Sequence, residues 1–131
     1  MKTVAALLAA ALALPVLAAP TGEDVEVTAG VVTGLKCALA ARSSGGLKAL
    51  TSCPPAEAAR ELVVFDVAEK RIFRIGEKKV FRYQLESAFG GGSIDFSGKA
   101  VAVDANEVAT VEVAEYSIAK KPKAGAFKGC L

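Results

Sequence analysis

Three cysteines, Cys37, Cys53 and Cys130, are the residues of this chain whose chemistry is easiest to specify. The N-terminus, read below, directs the chain to an oxidising compartment, where cysteine pairing is the default. Three cysteines allow three single bridges, and Cys37–Cys53 is the expected one. It would tie the end of a first strand to the long loop that follows, at about 3 kcal/mol by the chain-entropy estimate. Cys130, one residue from the end of the sequence, is then spare. A metal site would need closely spaced ligands, and the chain has no C-x-x-C pair and no histidine. The same spacing argues against a redox dithiol. A cysteine-based redox or metal accessory protein is therefore the weakest of three functional readings, and no cofactor is expected.

A basic cluster comes next: Lys70, Arg71, Arg74, Lys78, Lys79 and Arg82, with Phe73 and Tyr83 among them. Cations interleaved with aromatic rings are the composition that grips a single-stranded nucleic acid or another polyanion. Lys70, Arg71, Phe73, Arg74, Lys78 and Lys79 are thus the candidate ligand-binding residues. Glu69 and Glu77 dilute the cluster, and a solvated, locally paired surface is the competing explanation. Nothing here resembles a catalytic constellation. Asp66, Asp95 and Asp104 are dispersed, and the serines have no histidine to activate them. Gly90–Gly92 follow a helical pattern instead of opening one, so they read as a helix stop and turn rather than a phosphate cradle. The chain is read as a non-enzyme.

At the N-terminus Lys2 precedes an uncharged apolar run, Val4–Leu14, then Pro15 and small residues. That is the pattern of a secretory signal peptide, with cleavage expected after Ala18. The run is shorter than the roughly 20 residues a membrane-spanning helix needs. No cysteine stands at the cleavage region to carry a lipid anchor. The expected organisation is a signal peptide at 1–18, one domain at 19–119, and a basic tail at 120–131 carrying Lys120, Lys121, Lys123 and Lys128. The whole sequence has 16 basic and 14 acidic side chains. So small a surplus predicts no strong long-range pull on nucleic acid or anionic membrane.

The elements that must position these residues are mostly strands. Val25, Val27, Ala29 and Val31 alternate with polar residues or glycine as a half-buried strand would. Arg42–Gly46 has the composition of a loop, and Pro55 opens a short helix ending near Arg60. Leu62–Val67 and Ile72–Ile75 read as a hairpin. Glu77 then opens a helix with Phe81, Leu85, Ala88 and Phe89 in one apolar stripe, stopped by Gly90. Two long strands follow, joined by a turn at Asp104–Asn106. In the first, Ile94 and Phe96 share a parity, whereas Val101 and Val103 lie on the other. Such a switch marks a bend or bulge, expected at Gly98.

Strand, long loop, strand, strand, helix, strand, strand is the order of the OB-fold, a five-stranded Greek-key barrel. The fold class is thus mainly β: a small five-stranded OB-like β-barrel with one helix between strands three and four. The second half, with Leu85, Gly90–Gly92, SIDFSGKAVAVD and VATVEVAEYSI, also resembles the exported bacterial OB-like domains. The resemblance implies a fold and an exported location, and little chemistry. The expected function is a non-enzymatic binding or structural-interaction module of the cell envelope, periplasmic or secreted. Its partner would be an envelope protein or a small polyanion, with nucleic acid disfavoured by export. The alternative is a polyanion or single-stranded nucleic-acid binder using the basic face of strands two and three.

Overall fold

A computed structural model describes residues 21–120. The segment read as a signal peptide lies outside the described residues, as do Cys130 and the tail beyond Lys120. Five strands, β1 (Asp24–Gly34), β2 (Leu62–Asp66), β3 (Arg71–Ile75), β4 (Ser93–Val103) and β5 (Val108–Ala119), close into a barrel in the order β1-β2-β3-β5-β4. The β3–β5 pair is parallel and the other four are antiparallel. This is the expected OB-like barrel. A helix, α4 (Arg82–Ala88), lies between β3 and β4, while α1 (Leu35–Ala40), a π-helical turn (Ala41–Gly45), α2 (Gly46–Thr51) and α3 (Pro55–Arg60) fill the β1–β2 connection.

Closing a barrel with only five strands requires sharply coiled strands, and two bulged ones supply the bend. The first half of β1 pairs with β4, Val27 opposite Phe96, and its second half with β2, Val31 opposite Phe65. Between the halves Ala29 takes a φ of 56°, and its N–H donates to Asp95 Oδ1 at 2.6 Å. The single alternation expected from Val25 to Val31 breaks there. Val25 and Val27 face the barrel core, whereas Val31 packs beneath the helices of the β1–β2 connection. On β4 the register slips at Ser97/Gly98, as the parity switch predicts, and again at Ala100/Ala102. Ala100, rather than a valine, continues the inward face, and Val101 and Val103 are exposed. The hairpin turn stands as expected: Asp104 Oδ1 accepts the Asn106 N–H at 2.8 Å and the Val108 N–H at 3.0 Å.

Two apolar clusters result. Val27, Val64, Phe73, Ile94, Phe96, Val111 and their neighbours fill the barrel, closed from below by Val80, Leu85 and Ala88. Phe73 and Phe96 meet edge to face there, their centroids 5.9 Å apart. A second, smaller cluster sits outside the wall, where Ala38, Ala41 and Leu50 of the connection cover Val63, Phe65, Ile72 and Val108. The stretch read as a loop, Arg42–Gly46, is thus part of a helical layer. Ala38, Ala41 and Leu50, on either side of that stretch, gain burial against the barrel, which local composition does not reveal.

The helix before β4 also differs from expectation. Glu77–Val80 form a turn, and the helix starts only at Arg82. Phe81 stands at its N-cap in an extended conformation, so it leaves the stripe that Leu85 and Ala88 continue. Val80 takes the buried place instead, and Phe89 packs half-buried against the core. Gly90, with φ 90°, ends the helix as the sequence indicates.

Candidate interaction surface

Cys37 and Cys53 are joined by a disulfide, with their Cα atoms 5.8 Å apart. The bond links the first turn of α1 to the end of α2 and so closes the helical layer on itself. Among the described residues no group of three His, Cys, Asp or Glu side chains is placed to hold a metal ion.

The structure divides the basic cluster. Lys70 lies in the β2–β3 turn, while Lys78 and Lys79 follow the opposite end of β3, a strand about 13 Å long at 3.3 Å per step. Arg71 reaches Asp66 Oδ2 at 3.3 Å and lies over the Phe73 ring, 5.1 Å from its centroid. That ring is fully buried in the barrel, so Phe73 offers no face to a ligand. Arg74 is engaged twice, by Glu61 and by Asp104 Oδ2 at 2.6 Å. The Glu61 hydrogen bond raises its pKa further, against an opposing effect of burial. Lys78 pairs with Glu112 at 3.0 Å, Lys79 donates to the Ala114 carbonyl at 2.8 Å, and Arg82 pairs with Glu86 at 3.0 Å.

The carboxylates serve the framework in the same way. Asp66 meets Arg71, and Asp95 holds the β1 bulge. Asp104 is held below the ordinary carboxylate range, first by the Val108 N–H, then by Arg74. The three stand at separate points of the barrel, each with its own partner.

Sequence reasoning missed the group that stays exposed. Phe81, Tyr83 and Tyr116 are 49 %, 68 % and 37 % accessible. Gln84 organises them. Its Oε1 accepts the Phe81 N–H at 2.8 Å, which is half of a capping box, and its Nε2 donates to the Tyr116 hydroxyl at 2.8 Å. Phe81 and Tyr83 then lie nearly parallel, 8° between planes and 6.2 Å between centroids. The reason is helical geometry. Residues 3.6 apart share a face, so a helix that turns Leu85 and Ala88 inward turns Tyr83 outward. Phe81 would have pointed inward had the helix begun earlier. The one signal in the sequence was the spacing of Phe81 and Tyr83 by two, which no single helical stripe can bury. Lys79 and Arg82 are neighbours of the rings in sequence, and each is already engaged by the protein.

The fold thus defines a closed, OB-like five-stranded barrel with one stapled helical insertion. No family model, curated protein or solved structure matches the chain. Among the described residues no helix is long and apolar enough to cross a membrane.

Proposed function

We propose that this protein is an exported, non-catalytic interaction module that meets a macromolecular partner of the cell envelope through Phe81, Tyr83 and Tyr116. The observation that carries the reading is the exposure of two parallel rings and a third held beside them by Gln84. Exposed clusters rich in aromatic residues and arginine are the composition of protein contact surfaces, where a few such anchors dominate the binding energy. A disulfide in the first connection accords with an oxidising compartment outside the cytoplasm. The polyanion alternative is less favoured, because four of its cations, Arg71, Arg74, Lys78 and Lys79, are engaged by Asp66, Glu61, Asp104, Glu112 and the Ala114 carbonyl, and Lys70 stands at the other end of β3 from Lys78 and Lys79. Freeing them would forfeit those contacts.

The test is capture of partners from the envelope fraction of the native host with the wild-type domain, with Phe81→Ser/Tyr83→Ser, and with Lys70→Ala/Lys78→Ala. Loss of the captured species with the first variant alone, and persistence in moderate salt, supports the reading. Loss with the lysine variant and steep weakening with salt would instead support the polyanion binder.

A further inference from the structure

We propose that the Cys37–Cys53 bond is a redox latch. Its cleavage by a dithiol releases the helical layer of residues 35–53 from the outer wall of β2 and β3, while the barrel itself stays closed.

The two halves of the molecule are held by different means. The barrel has its own core and a continuous ring of paired strands. The layer outside it consists of helical pieces of six, five and six residues, whereas Ala58 of α3 packs into the barrel core. Helices this short are not stable alone. The Gly34 and Ala40 N-caps have no side-chain hydrogen bond to help them. The layer's cluster offers only Ala38, Ala41 and Leu50 as fully buried side chains from the helices. Leu35, Leu39 and Ala49 are only partly buried there, and the Leu35 N–H donates to the Glu61 carbonyl at 3.0 Å where the layer begins. Two restraints act within the layer. Arg42 donates to the Asn106 and Glu107 carbonyls at 2.8 and 3.4 Å, from an exposed position, and the disulfide closes α1 onto the end of α2. A cross-link disfavours every state in which the loop it closes is unfolded, local opening included. Removing it therefore acts first on the segment with the least other support.

Cys37 and Cys53 are both buried, 8 % and 9 % exposed, and a cavity beside Cys53 gives a reductant its way in as the layer opens. Cys53 lines a cavity of about 400 Å³ with Leu47, Leu50, Thr51, Phe89 and Gly90–Gly92 as its walls. Cys37 is not among the lining residues. An incoming thiolate bonds to Cys53 Sγ, and Cys37 leaves as the thiolate. The second thiolate of the reductant then attacks the sulfur of the first and displaces Cys53. The reductant departs as a disulfide, and its two electrons remain on two protein thiols, protonated by those the dithiol gave up.

The inference is independent of the aromatic surface, and its test reads backbone protection instead of partner binding. A Cys130→Ser background removes the third thiol. Hydrogen exchange and tryptic cleavage after Lys36, Arg42 and Lys48 are followed with and without dithiothreitol, and in Cys37→Ser/Cys53→Ser. The expected result is at least about a tenfold gain in exchange and cleavage across 35–53, with β4 and β5 amides unchanged. Unchanged protection of 35–53 would overturn the latch, and so would joint loss of protection in the layer and the barrel. Glutathione in place of the dithiol should leave its first mixed disulfide on Cys53. An adduct first on Cys37 would overturn the route.

Discussion

Gly98→Ala tests the barrel at its tightest crossing. The bulge at Ser97/Gly98 brings β4 so close to β5 that a Cβ on Gly98 would stand 2.9 Å from the Glu112 carbonyl carbon and from Val113 Cα. It would stand closer still to the Glu112 carbonyl oxygen. These are backbone atoms of a paired strand, so no rotamer change relieves the overlap. The two strands must part, or the bulge must move and shift the inward face of β4 onto the wrong residues. Overpacking a core costs typically about 1–3 kcal/mol when side chains can adjust. With fixed backbone in the way, the upper half of that range, about 2–3 kcal/mol, is expected. Urea unfolding of the oxidised domain measures it, with an unchanged slope indicating an effect on the native state. A control at an open position, Thr28→Ala, should stay within about 0.5 kcal/mol. If Gly98→Ala costs no more than the control, the close approach of β4 and β5 is wrong, and so is the barrel closure built on it.

Leu85→Ala should cost about 2–5 kcal/mol in the same assay, since the side chain is buried at the base of the barrel. Tyr83→Ala, on the outward face of the same helix, should cost under about 0.5 kcal/mol. Equal costs would mean that the helix is rotated. Asp104 is held below its ordinary value of 3.8 in the fold, so its contribution is present above the unfolded pKa and fades as pH falls through the folded one. Asp104→Asn should therefore destabilise the domain at pH 7 and flatten the acid limb of its stability curve below about pH 4. An acid limb of unchanged steepness would contradict the Arg74–Asp104 contact.

The barrel was legible because its signals are local. The parity switch around Gly98, the Asp104–Asn106 turn and the glycines after Phe89 each impose a backbone geometry on a few residues, and each stands where expected. The Cys37–Cys53 bond followed from compartment and loop position. What escaped the sequence depends on partners distant in the chain. Arg42–Gly46 is polar enough for a loop, yet it lies within a layer that packs on strands tens of residues away. Arg71, Arg74 and Lys78 looked like a basic face because their acidic partners, Asp66, Glu61, Asp104 and Glu112, come from other elements. Phe81 looked like core because the helix was begun one turn too early. That difference conceals the aromatic surface, since it decides whether the ring faces the barrel or solvent.

The most direct measurement of the central claim is photo-crosslinking in the native host, with p-benzoylphenylalanine placed in turn at Phe81, Tyr83 and Val101. All three positions are exposed, and Val101 lies outside the aromatic group. An interaction module using that group predicts a discrete crosslinked species from Phe81 and Tyr83 and none from Val101. A species from Val101 alone, or none from either aromatic position, would contradict it.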